Sequence, residues 1–363
     1  ALAVHNGLLY AGGMFQTAGS LSNVNNLAAW NGSSWLQVDN GVTGTTGAYV
    51  TALLSTSSGL VVGGNFQTAG STSNLPCQNI ALWNGAAFVN NYNATFNGPI
   101  YTLGEYGGQL VAGGTFTTPY LNIASWNGSA WNPLSGGITL FYQIPYNGVA
   151  SQIDYGGALI VGGHYKHADN VSTTQNIARW NGSAWSAIPG GDIPDTLAIV
   201  NDFLPFDNKL YVGGEFAQVG LVPALGVAEW NGTGWNTTGH THKLVRALAA
   251  YDSCGTFPCD LYAAGEGFLN RWICLSSTNE SANTIQFRIY PNPAGDHIDV
   301  HLSRVLPEGS TLHISDLQGR VRLKQKIQGE SVHLQVEHLL AGTYIISVWV
   351  PGGNPAYARF VRH

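Results

Sequence analysis

A strand-like run closing on two glycines recurs along most of the chain: LLYAGGMF at 8–15, LVVGGNF at 60–66, LVAGGTF at 110–116, LIVGGHY at 159–165 and LYVGGEF at 210–216. A degenerate LYAAGEGF follows at 261–268. The second glycine falls at 13, 64, 114, 163 and 214, with Gly265 its nearest counterpart in the sixth copy, so the period is about 50 residues. A repeat of this kind is one supersecondary unit that buries its faces only against its neighbours. Each full copy continues through a polar loop to an NxAxWNG segment, a tryptophan-bearing segment, a Gly-rich link and an apolar run such as VTALLST at 50–56. Four short strands per repeat is the unit of a β-propeller blade, and six units closed into a ring leave no long open edge. The expected fold is all-β: a six-bladed β-propeller over 1–275.

The double glycine reads mechanically: where strands crowd, glycine permits close backbone approach or a positive φ. Phosphate-loop spacing is absent and no helix pattern follows. The WNG segments are WNGSSW at 30–35, WNGAAF at 83–88, WNGSAW at 126–131 and 180–185, and WNGTGW at 230–235. Asn-Gly favours a type I′ hairpin, in which both positions take positive φ. A two-residue turn or a four-residue loop each sets both aromatic residues on one face, which suits packing between units better than five sugar sites.

Charge divides the chain. Residues 1–283 carry 6 Lys and Arg against 14 Asp and Glu, whereas 284–363 carry 8 against 6. An acidic chain without cationic runs lacks the footprint of a nucleic-acid binder, and no apolar run approaches the roughly 20 residues of a membrane span. No signal peptide opens the sequence, and the first inner-strand pattern has nothing before it. The expectation is either that a segment upstream of Ala1 is missing and would complete the ring, or that Ser276–Ser281 fills the edge poorly. After the polar linker at 276–284 come seven short runs, several of which alternate apolar with polar residues, as at Ile298, Val300 and Leu302. That pattern predicts a small Ig-like β-sandwich over 285–363.

The repeats resemble kelch-like propellers and, more closely, the secreted repeat LYVGGxFxxAGxxxxNxIAxWNGxxW of bacterial surface proteins and fungal cortical polarity markers; FQTAGSTSNLPCQNIALWNG at 66–85 carries the likeness best. The last eighty residues resemble the type A C-terminal sorting domain of the type IX secretion system of Bacteroidetes. The matching positions are Tyr290, Pro291, Asn292 and Pro293, Gly319 in LHISDLQGRV, Gly342 and Tyr344 in LLAGTYIISV, and the basic end with Arg359 and Arg362. This resemblance implies export through the periplasm to the outer-membrane surface or beyond, with the outer-membrane translocon and its shuttle β-barrel as partners. It also implies that Thr196, in Asp195-Thr196-Leu197, is an O-glycosylation site.

Titratable groups that converge are few. His164, His167 and Asp169 form the densest ligand-like cluster, but strand positions three apart face opposite ways, so a metal site would require the loop to curl. Asp202 with Asp207, and His240 with His242, fit turn chemistry and a solvated loop. Cys254 and Cys259 flank a short Gly/Pro loop where a disulfide fits; Cys77 and Cys274 have no positional support as a pair. Sialidase boxes and the G-x-S-x-G elbow are absent, and no cofactor is implied. The long Asn/Ser/Thr loops, such as 18–26, 69–79 and 168–176, suit hydrogen bonding to neutral glycans. The reading is an exported binding module; an extracellular polysaccharide-acting enzyme and a structural component of a surface assembly are the rivals.

Overall fold

In the computed structural model the chain is all-β. The structure describes residues 1–45, 47–71, 75–93, 96–141, 147–206, 208–238, 244–251, 260–265, 268–273, 287–290, 294–302, 305–316, 320–327, 329–340, 342–351 and 356–362. It divides into two compact units, Ala1–Ala250 with Leu261–Trp272, and Tyr251–Asp260 with Ile273–His363.

Among the described residues the first unit holds five four-stranded antiparallel sheets, each built from one repeat in sequence order. In the second repeat the strands are Tyr49–Thr56, Gly59–Asn65, Ile80–Trp83 and Phe88–Val89. A further sheet contains Ala247–Tyr251, Asp260–Gly265 and Phe268–Ile273. The double-glycine strand is the second of its sheet, flanked on both sides. The apolar run before it forms the edge strand, so each sheet begins one strand earlier than the glycine phasing suggests. In the first sheet Leu2–His5 fills that place, pairing with Leu8–Gly12.

Successive sheets share cores. Leu60 and Val62 pack with Tyr10, Leu27 and Ala29 of the preceding sheet, while Val61, between them, packs with Ile100 and Ala112 of the following one. The same division recurs at Leu159 and Val161 against Ile160. Strand alternation thus gives every sheet two buried faces, and the near-continuous apolar runs follow from it.

The two glycines do different work. A Cβ on Gly63 would lie 2.9 Å from Ile100 Cγ2, and one on Gly113 would lie 2.7 Å from Val149 Cγ1, both on the next sheet. Gly12 and Gly162 meet Val50 and Val200 in the same way. The second glycine faces its own sheet, where a Cβ would collide with the carbonyl of Tyr49, Pro99, Gly148 or Ile199. Each of those carbonyls flanks a register shift in the edge strand, as between Val50 and Ala52 or Val149 and Ser151. Close approach is the reason in every case; none of these glycines has a positive φ.

The WNG hairpins are four-residue loops. Trp30 pairs directly with Trp35, Trp83 with Phe88, Trp126 with Trp131, Trp180 with Trp185 and Trp230 with Trp235. The type I′ expectation is overturned: the five asparagines do not have positive φ, while the following glycines sit near +96° to +99°. The asparagine side chain explains why. Asn127 Oδ1 accepts from the amides of Ser129 (3.0 Å) and Ala130 (2.9 Å), and the other four copies repeat this. The paired indoles then reach the preceding repeat: Trp185 Nε1 donates to Leu134 O, Trp230 to Pro189 O and Trp235 to Gly191 O.

In the second unit each of the seven runs holds a strand among its described residues. Phe287–Tyr290, His297–Leu302 and Ser331–Gln335 make one sheet. Val321–Lys326, Thr311–Asp316, Gly342–Trp349 and Ala356–Arg362 make the other. Ile298, Val300, Val332 and Leu334 of the first share one core with Leu312, Ile314, Ile346 and Phe360 of the second.

Candidate functional site

The polar loops of the repeats end on asparagines that are tied inward. Asn26, Asn79, Asn122 and Asn176, which open each NxAxWNG segment, are buried with φ between 61° and 73°. Asn176 Oδ1 accepts from the Tyr165 amide at 3.0 Å, and its Nδ2 donates to Ile193 O (2.9 Å) and Asp195 O (2.8 Å). Asn79 does the same between Phe66 and the carbonyls of Phe96 and Gly98. In the fifth repeat Gly226 takes the position with φ 74°. Backbone bonds add a lateral link between repeats: Thr68–Ala69 pairs with Val42–Thr43, and His167–Ala168 with Ile138–Thr139. The recurring asparagine was visible as a letter in the sequence, but its role depends on a carbonyl about 17 residues further on.

His164 and His167 are each engaged separately. His164 Nδ1 faces Asn147 Oδ1 and Nε2 lies 2.8 Å from Thr196 O, while His167 Nδ1 bonds the Asp169 carbonyl. The Asp169 carboxylate accepts from Ser135 Oγ at 2.7 Å. Among the described residues no three His, Cys, Asp or Glu side chains gather into a metal-binding group. Thr196 is exposed in a turn whose Asp195 carboxylate caps the Leu197 amide at 2.9 Å. Asp202 accepts from the amides of Leu248 (2.7 Å) and Phe203 (2.9 Å), and burial raises its pKa against the lowering effect of those bonds. Asp207, His240, His242, Cys254, Cys259 and Cys274 lie outside the described residues. Cys77 is buried and free, its thiol pushed up to about 12 by desolvation.

A cleft of about 330 Å³ opens beside the first lateral link, lined by Met14, Phe15, Asn25, Asn26, Val42 and Thr43 among others. Its lining carries no ionisable side chain, and Met14 stands 77% exposed at its mouth.

In the second unit Tyr344 is buried against Phe360, ring centroids 5.6 Å apart, and its hydroxyl donates to Leu340 O at 2.9 Å. Gly342 opens that strand with φ 155° and pairs with Arg362. Arg362 reaches across to the other sheet, where Nε donates to Val336 O at 3.2 Å and Nη2 lies 3.6 Å from Asp296. Its backbone also bridges Ala294. Tyr290 pairs through its backbone with Asp299, and Arg359 with Ile345. Pro291, Asn292, Pro293 and Gly319 lie outside the described residues. Asp316 binds Arg320 at 2.8 Å and Arg322 at 2.7 Å. Desolvation acts to raise its pKa, but the Arg320 amide and the two guanidinium groups outweigh it and hold the carboxyl at about 2.

Residues 288–353 match the family described as the secretion system C-terminal sorting domain. This is a type IX sorting domain. The sorting domain implies recognition by the type IX secretion system, and the protein bearing it is exported to the cell surface or beyond. Among the described residues no helix is long and apolar enough to cross a membrane. No curated protein matches the chain. Among solved structures it is similar to PorZ, a surface component of the type IX secretion system of Porphyromonas gingivalis, at 13% identity and a TM-score of 0.37. A second likeness is to the extracellular domain of the hybrid two-component system BT4673 of B. thetaiotaomicron, at 12% identity and a TM-score of 0.46. These likenesses cover 100% and 98% of this chain, which spans 59% and 49% of the respective longer chains.

Proposed function

We propose that the sorting-domain protein is an exported surface binding module: a six-bladed kelch-like β-propeller over 1–275, a linker at 276–284 and an Ig-like sorting domain over 285–363. The propeller reading is supported by the consecutive four-stranded sheets with alternating shared cores. The binding reading is carried by the cleft at Met14, whose uncharged amide, hydroxyl and apolar lining fits a neutral ligand such as a glycan or a polar protein segment. In this reading Tyr290, Pro291, Asn292, Pro293, Gly319, Gly342, Tyr344, Arg359 and Arg362 form the signal read by the outer-membrane translocon and its shuttle β-barrel, and Cys254 and Cys259 form a disulfide.

A glycan array and a hydrolysis screen on the full chain test the binding reading. Stable capture of a neutral glycan without turnover, weakened by Met14→Glu, is the expected result; turnover without stable binding overturns it. Thr196 is proposed as an O-glycan acceptor on the strength of its exposed turn. Glycopeptide mass spectrometry of protein collected outside the cell is expected to find Thr196 modified, and unmodified peptide throughout rejects the assignment.

A further inference from the structure

The outward face of the three-stranded sheet in the second unit carries an unusual run of imidazoles. Strand His297–Leu302 alternates strictly: Ile298, Val300 and Leu302 enter the core, while His297, Asp299 and His301 face out. On the neighbouring strand His333 lies opposite Asp299 and also points out. Its Nδ1 is 2.7 Å from Asp299 Oδ1. An ionised carboxylate only accepts, so in the neutral ring Nδ1 carries the proton and Nε2 keeps its lone pair. That lone pair accepts from the side-chain amide of Gln335 at 3.2 Å, an exposed partner that an incoming ion displaces. The His297 ring sits diagonally across, its centroid 5.1 Å from that of His333 with the planes inclined by 31°.

That separation has a chemical meaning. Imidazole nitrogen binds zinc at about 2.0–2.1 Å, which puts each ring centroid roughly 3 Å from the ion and two rings on one tetrahedral ion roughly 5 Å apart. We propose that His297 and His333 form a two-imidazole site for a borderline divalent transition ion, Zn2+ or Cu2+, with Asp299 as the positioning residue that fixes the His333 tautomer. The carboxylate–imidazole–metal chain is the arrangement that orients a ligand and raises its basicity. Both imidazoles stand on paired strands whose alternate residues are locked in a core, so the pair is preorganised. Two protein ligands leave the remaining positions to water or to an oxygen or nitrogen donor from outside. Imidazole donors select Zn2+ and Cu2+ over Ca2+ and Mg2+.

Equilibrium dialysis of the full chain with Zn2+, and electron paramagnetic resonance at one equivalent of Cu2+, test the site. The chain is expected to bind one ion more than the His297→Ala/His333→Ala double variant. Each single variant is expected to weaken that ion at least tenfold, and Asp299→Asn by about tenfold. His313→Ala, on the other sheet, leaves it unchanged. The Cu2+ spectrum is expected to show two nitrogen couplings in the parent and one in either single variant. This second readout is independent of any loss of folded protein. A double variant that binds as many ions as tightly as the parent, or a Cu2+ spectrum unaltered by the single substitutions, overturns the site. Unchanged affinity in Asp299→Asn overturns the positioning role.

Discussion

Asn176 joins three backbone groups from separate segments through one buried side chain and holds a left-handed φ of 61°. Replacing it by alanine leaves the Tyr165 amide and the Ile193 and Asp195 carbonyls without this partner and adds a left-handed Cβ penalty. The expected loss is about 3 kcal/mol or more, read from urea unfolding. Asn176→Gly keeps the backbone freedom and loses only the bonds, so it is expected to cost about 1–2 kcal/mol less. The natural Gly226 marks the fifth repeat as already carrying that solution. Asp316 makes a pH prediction at the same scale. Its folded pKa of about 2 lies below the ordinary aspartate value of 3.8, so its contribution is fully present above pH 3.8 and is lost as pH falls toward 2. Asp316→Asn is expected to flatten that acid dependence and to be less stable than the parent at neutral pH, as followed by unfolding midpoints across pH 2–6. Neither role was legible in the one-dimensional pattern. NxAxWNG displays a recurrent asparagine, but the acceptors come from the next loop, and nothing in the letters SDLQGR singles out Asp316 as the partner of two arginines.

At the scale of the element, the double glycine was legible as crowding but not as two kinds of crowding. Gly162→Ala drives a methyl into Val200 of the next sheet, a side chain with some freedom to move, and is expected to cost about 1–3 kcal/mol. Gly163→Ala drives one into the Gly148 carbonyl, which belongs to a paired strand, and is expected to cost more than Gly162→Ala. Gly234→Ala, with open space around it and no positive φ, is the control, expected within about 0.5 kcal/mol of the parent. Equal losses for all three in chemical denaturation would contradict this assignment. The WNG hairpin shows the same limit. Two loop lengths satisfied the facing of the tryptophans, and the choice between them came from the asparagine carbonyl capturing two amides, an energetic preference that dipeptide statistics do not carry.

For the whole molecule, the sorting domain sets the destination. Deleting 288–353 is expected to leave the protein inside the outer membrane, with none at the surface or in the medium by fractionation and immunoblot; undiminished export would remove the domain's role as address. The all-β class, the recurrence of the glycine strand, the alternating runs near the C-terminus and the sorting domain were readable in order along the chain. They are local or periodic properties, and alternation every second residue or a motif every fifty survives in one dimension. Tertiary structure decided the strand at which each sheet begins and which neighbour each glycine accommodates. It also turned the loop asparagines inward and brought His297 and His333, far apart in sequence, onto one face. Those outcomes depend on cross-strand register, and register arises only when a buried face selects one pairing over its neighbours.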